Sequence, residues 1–357
     1  MRTTSVTDRE RQASQSVDAK KQYAVDQAMR ALRNESSKYR KLYDEARQAF
    51  ESYKTANAVL GELEARFVEP APISFKEASG TSESVLVALG SDWHVYETVK
   101  PEQVSGLNTY NVDIARASVE RFHRGVLKWC NIHRAGTKID TLVLAYLGDL
   151  MTGMLHEDQM ENNFGTPLEE ALCVTELVCS GIEYLLKYGE FKTIKVISCD
   201  GNHSRITEKK RKTNRVRHSL EWLIFQFIKT RFADTPALEF TVADGIHVYL
   251  DLDCAGGKTL RFCHGDEAIL FQGGVGGLSI SANKAIDKWN VGRRADLDAF
   301  GHHHTSEHPR RYVSNGSILG YSPFSLTGKY EFEVPSQTLL LLEKDKWETA
   351  YHKLYVR

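Results

Sequence analysis

The chain has no paired-cysteine motif. Its six cysteines, Cys130, Cys173, Cys179, Cys199, Cys254 and Cys263, are scattered without a Cys-x-x-Cys pair. That predicts reduced, buried thiols rather than a disulfide or thiolate framework. No stretch approaches the ~20 apolar residues that span a bilayer. Residues 1–20 are polar and lack the apolar core of a signal peptide. These absences predict a cytoplasmic protein, of a cell or an infected host, with no membrane partner. An excess of one charge is missing too: the net value is −1, so any attraction for a polyanion must be local. Internal repeats and low-complexity tracts are absent. What remains is a soluble composition, 41% apolar and 26% charged, over 357 residues. That length suffices for one large domain with an appendage, or for two ordinary domains.

Four segments follow from the pattern. Residues 1–17 read as a disordered N-terminus. Residues 18–68 carry a proline-free helical pattern whose seam includes Met29, Leu32, Tyr39, Tyr43, Phe50 and Tyr53 at alternating spacings of three and four. Such a helix either forms a coiled coil that makes a homo-oligomer or folds back on the rest of the chain. Pro70 and Pro72 end it, and 69–83 read as a linker. From 84 to 357, strands at 84–89, 141–147 and 193–198 alternate with helices at 113–133, 168–188 and 218–232. Mostly strands follow, at 238–242, 247–252, 259–263, 298–300, 338–342 and 351–356, with one helix at 281–290. The predicted class is α/β: two sheets face to face, a β-sandwich flanked by helices, with an N-terminal long-helix extension.

Five motifs sit just after apolar strands: Asp92-Trp93-His94, Gly148-Asp149, Gly201-Asn202-His203, His264-Gly265 and Gly301-His302-His303-His304. Taken singly each is ordinary; Gly-Asp is a common turn and a lone histidine usually a satisfied one. Together, in order and all at strand ends, they place metal-binding side chains where loops of an α/β sheet converge. Glycines 148, 201 and 301 are expected to let the backbone turn sharply there. Imidazoles, carboxylates and one amide, without thiolate, suit two divalent transition metals: manganese first, or iron, zinc or nickel.

The set resembles the five-block signature of the calcineurin-like metallophosphoesterases, and its block order is nearest to the nuclease-type and phage-encoded branch. The likeness covers roughly 84–357. It implies a dinuclear centre with Asp92, His94, Asp149 and His304 on one metal. Asp149, Asn202, His264 and His302 would hold the other, with Asp149 bridging. A shared hydroxide would attack phosphorus, and His203, outside the metal shell, would protonate the leaving oxygen. Asp149 and His203 are thus the catalytic pair; His303 has no role. Two departures stand out. The acid expected after His203 is Ser204, so whatever orients His203 must come from elsewhere. The Asp-Arg-Gly of the protein phosphatases is missing after Asp149.

Residues 204–217 contain seven basic side chains and one acidic. Arg205, Lys209, Lys210, Arg211 and Lys212 are candidate substrate contacts. Arg293-Arg294 and Arg310-Arg311 flank the last motif. Cations around a phosphoesterase centre suit a nucleic acid, because each neutralised phosphate releases counterions. A small phosphate ester, or a helical scaffold with a vestigial site, are the competing readings. Gly273–Gly277 lacks the Gly-Lys-Ser/Thr ending of a nucleotide loop and reads as a flexible lid or a close backbone approach near His264. Glu157 and Asp158 read as a solvated loop.

Overall fold

Alternation along the strands decides the layering. In the computed structural model, residues 6–66, 83–153, 162–253, 256–267, 269, 277–328, 330–344 and 346–357 are described. Residues 69–82 of the linker, Glu157, Asp158, Cys254, Asp345 and Gly273–Gly276 therefore lie outside the described residues. Six strands form one sheet, in the order β10-β9-β1-β2-β3-β4. They are β1 (Glu83–Gly90), β2 (Lys138–Tyr146), β3 (Thr193–Ser198), β4 (Leu238–Val242), β9 (Ser336–Glu343) and β10 (Trp347–Tyr355). The first four are parallel, whereas β9 runs against β1 and β10 against β9. The second sheet has the order β5-β6-β7-β8, comprising β5 (Val248–Leu252), β6 (Lys258–Phe262), β7 (Leu297–Phe300) and β8 (Tyr312–Ser314). Here β6, β7 and β8 are mutually parallel.

Leu86, Ala88, Leu142, Leu144 and Tyr146 point to one face of the large sheet and pack under three helices. These are α2 (Val112–Arg134), α3 (Pro167–Tyr188) and α4 (Leu220–Arg231). The alternate residues Val85, Val87, Leu89, Val143 and Ala145 face the other way. They meet Val248, Leu260, Phe262, Leu297, Ala299 and Val313 of the small sheet in a second core. Phe300 and Tyr312 turn outward onto α5 (Ser279–Trp289) through Leu278, Ala282 and Ile286. The order of layers is helices, sheet, sheet, helix. Period-two patterning on both faces is what a doubly covered sheet requires. The five described cysteines are free and buried. No helix among the described residues is long and apolar enough to cross a membrane.

The chain divides into two compact units, Met1–Phe75 and Lys76–Arg357. In the first, α1 runs Val6–Arg66, so it starts well before the residue 18 expected from sequence. Residues 6–17 are polar but contain neither Gly nor Pro, so nothing interrupts the helix. Two short elements also escape the sequence pattern. Strand β8 has only three residues, and α6 (Pro323–Thr327) only five; neither spans a readable period.

Candidate metal centre

All five motifs leave the carboxyl ends of parallel strands: β1, β2 and β3 in one sheet, β6 and β7 in the other. Main-chain hydrogen bonds then stitch the loops together. Trp93 and His94 donate their amides to the Asp149 carbonyl at 2.8 and 3.2 Å, and Asp92 donates to Gly148 at 3.1 Å. The Gly301 amide reaches the His264 carbonyl at 2.9 Å. Asp92, buried, accepts the His302 amide on both carboxylate oxygens, at 3.0 and 3.1 Å.

Backbone strain gathers at these residues. Asp92 (φ 54°), His94 (45°), Asp149 (51°), His302 (69°) and His304 (53°) are all left-handed without being glycine. Such conformations cost of order 1–3 kcal/mol each, persist only where the surrounding structure over-determines them, and cluster at functional sites. Only three other described non-glycine residues share them: Ser105, Glu190 and Trp347. The strain therefore marks the site.

The glycine expectation holds at one position of three. Gly148 has φ +93°, but Gly201 and Gly301 are not left-handed. They are glycine because the loops approach closely. A Cβ on Gly201 would lie 2.0 Å from Asp149 Oδ1, and one on Gly301 would lie 2.5 Å from Asp92 Oδ2.

Three groups have donor atoms close enough to share a cation: Asp92, His94 and His304; Asp149, His264 and His302; and His94, Asp149 and His203. Proton bookkeeping favours cations there. His264 Nδ1 faces the Leu147 carbonyl at 2.8 Å, so that nitrogen carries a proton. Its Nε2 then meets two acceptors, Asp149 Oδ2 at 2.9 Å and Asn202 Oδ1 at 3.1 Å. Three lone-pair atoms converge, which suits a metal or, without one, an imidazolium. Likewise His94 Nε2 and His304 Nε2 stand 3.1 Å apart, with Asp92 Oδ1 3.5 Å from the latter. A proton on either nitrogen pairs the two rings as N–H···N, and a divalent cation in its place takes both lone pairs together with the carboxylate oxygen.

The electrostatics of the cluster are set by burial and by its own charges. Burial, reinforced by neighbouring imidazoles, holds His94 and His302 well below the usual histidine range, leaving neutral rings. Burial opposes charge on His264 too, but Asp149 outweighs it and raises the ring to about 10. For Asp149, burial would raise the carboxyl; His264, His203 and His94 together keep it well below its normal range.

His203 sits at the edge of this cluster, its Nε2 3.9 Å from Asp149 Oδ2 and its ring 4.6 Å from that of His94. His303 turns away and packs beside Phe300 and His302. The basic run divides. Arg205 donates to the carbonyls of Asn202 (2.7 Å) and Thr207 (3.2 Å), bracing the motif loop. Lys210 pairs with Asp266 at 2.7 Å, while Arg215 spans Asp200, Asp266 and Glu267. Lys209, Arg211 and Lys212 are exposed. Arg293 and Arg311 pair with Asp251 and Asp287.

Two carboxylates at the centre escape a motif search. Glu221 takes the Leu150 amide at 2.6 Å, the Gly201 amide at 2.7 Å and the Ser204 hydroxyl at 3.0 Å. Glu170 takes the amides of Tyr96, Thr152 and Gly153. The available signal was an acid on an apolar helix face: Glu221 shares its stripe with Ile224, Phe225 and Ile228, and Glu170 with Cys173 and Val174. Asn315 and Ser317, just beyond the last motif and β8, also reach the site. Asn315 bonds the Ser91 hydroxyl, which bonds Asp92; Ser317 bonds the Asp92 carbonyl.

No family model matches the chain, and no curated protein does. Seventeen solved chains match it. One to which it is similar is a crystal structure of a dimetal phosphatase from Danio rerio, at 7% identity and a TM-score of 0.34. The match covers 76% of this chain and 99% of that one.

Proposed function

We propose that the protein is a two-metal phosphoesterase, and that its substrate is a nucleic acid. The observation that carries the hydrolase reading is the convergence of imidazoles and carboxylates, held by strained backbone, at one strand-end rim. Asp92, His94, Asp149 and His304 would hold one ion; Asp149, Asn202, His264 and His302 the other. Two divalent metals bound there would acidify a water and neutralise charge growing on phosphoryl oxygens. The chain's own residues supply the rest. Asp149 is pinned for a bridging role, because its Oδ1 accepts the His203 amide at 2.9 Å while Oδ2 faces His264. His203 has its Nδ1 against the Thr152 carbonyl at 2.9 Å, which leaves Nε2 at the cluster as proton donor to the leaving oxygen.

The nucleic-acid reading rests on exposed Lys209, Arg211 and Lys212 beside the third motif. Lys212 also lines, with Arg217 and His218, a cavity of about 420 Å³. The test is manganese-dependent cleavage of single- and double-stranded DNA at low salt, beside a small chromogenic phosphodiester. Brisk hydrolysis of the small ester without polymer cleavage would remove the nucleic-acid reading and keep the phosphoesterase.

A further inference from the structure

Glu170 lies outside all five motifs, near the start of α3. Thr166 caps that helix, its hydroxyl accepting the Glu169 amide while Glu169 reaches back to the Thr166 amide at 2.9 Å; Pro167 fixes the first turn. The cap fixes where the next side chain projects, and Glu170 projects inward, fully buried. Its Oε1 accepts the Tyr96 amide at 3.1 Å and the Thr152 amide at 2.6 Å; Oε2 accepts the Gly153 amide at 3.1 Å. Tyr96 lies two residues beyond His94, and Thr152 three beyond Asp149. One carboxylate therefore ties the ends of the first two motif loops together.

The turn that it ties is the one that His203 leans on. The Thr152 carbonyl takes the proton of His203 Nδ1 at 2.9 Å. Gly153, at φ +71°, approaches so closely that a Cβ there would lie 2.1 Å from the His203 carbonyl. A peptide unit with its amide fixed on a carboxylate has its carbonyl direction fixed too, because the unit is planar. Between Thr152 and Gly153, the Gly153 amide held by Glu170 and the Thr152 carbonyl held by His203 belong to the same peptide plane. This plane transmits the position of the carboxylate to the imidazole.

We infer that Glu170 is the positioning residue for His203: through the Thr152–Gly153 peptide it holds the imidazole in the tautomer with Nδ1 protonated and Nε2 directed at the cluster. This supplies from a remote helix what Ser204, next to His203, does not. With Nδ1–H held by the carbonyl, the acid form is the imidazolium and the proton it gives up is the one on Nε2; the opposite neutral tautomer would set a lone pair against the Thr152 carbonyl and leave the ring free to turn. A purely scaffolding Glu170 would affect stability and leave the ring state alone.

The kinetic half of the test rests on His203 acting as leaving-group acid, as proposed above; the spectroscopic half does not. Long-range ¹H–¹⁵N spectra of the metal-free full chain, with His203 assigned by His203→Ala, should show Nδ1–H in the wild type. In Glu170→Gln that signature should give way to a tautomer mixture. An Nε2–H tautomer in the wild type, which needs no variant to fold, would overturn the inference. So would an unchanged tautomer in folded Glu170→Gln. With manganese, His203→Ala should lose roughly 10²-fold or more on an alkyl-leaving phosphodiester but far less on a p-nitrophenyl one, which needs no acid. Glu170→Gln should follow the same pattern at about 10-fold. Leaving-group dependence in His203→Ala without any in Glu170→Gln contradicts positioning. Its absence in His203→Ala sinks the acid role instead, and the tautomer alone then decides.

Discussion

Replacing Glu221 tests whether the two motif loops are held by one buried carboxylate. The side chain is 1% exposed and takes backbone amides from both loops at 2.6 and 2.7 Å. Glu221→Ala strands both donors, at about 1–3 kcal/mol each for a buried unsatisfied group. Part is recovered because the carboxylate itself is costly to bury: burial, then Asp149, pushes its pKa up to about 7. A net loss of about 3 kcal/mol is expected, or roughly 6–12 °C in Tm for a domain of this size. Urea denaturation of the metal-free chain at pH 7 measures it. Glu221→Gln should lose less, since one amide oxygen still accepts. The linkage adds a pH signature. With a folded pKa of about 7 against 4.5 unfolded, the native state keeps a proton that the unfolded chain has released. That contribution is complete below 4.5 and lost as pH rises through 7, so Glu221→Gln should flatten the stability profile in that window. A Glu221→Ala protein within about 0.5 kcal/mol of wild type would refute the reasoning, since that is the range of an ordinary surface substitution.

Other expectations follow from contacts equally specific. Gly201→Ala puts a methyl 2.0 Å from Asp149 Oδ1, so manganese affinity should drop at least 10-fold by calorimetry, with the fold retained by circular dichroism. Asp298→Ala leaves Arg261, which is 0% exposed, without its bidentate partner; a loss of about 3–5 kcal/mol in chemical denaturation is expected. Reversing Lys209, Arg211 and Lys212 to glutamate should weaken polymer cleavage and its salt dependence but spare a small ester. Equal losses on both substrates would assign the run to structure.

The layered fold was legible because strands β1, β2 and β3 each carry an apolar run that ends near a glycine. The motif residues were legible because each follows such a strand. What escaped depends on contacts distant in sequence. Glu170 and Glu221 are acids on helices whose partners are mainly backbone amides, which no side-chain motif records. The engagement of Lys210 and Arg215 with Asp266 was equally hidden, since the partner lies more than fifty residues on, behind His264. Gly201 and Gly301 were read as turns, although close approach to the Asp149 and Asp92 carboxylates explains them. The start of α1 was misplaced because polarity was taken for disorder.

The central claim is that one rim binds two catalytic metals through a shared carboxylate. Manganese titration of the full chain, followed by metal analysis of the desalted protein and by hydrolysis of a small phosphodiester, tests it most directly. Two ions per chain are expected in the wild type, with activity rising as the second site fills. Asp149→Asn should lose both ions together, because that carboxylate serves each. Fewer than one ion per chain after manganese loading, or an Asp149→Asn protein that keeps both ions and its activity, would contradict the account.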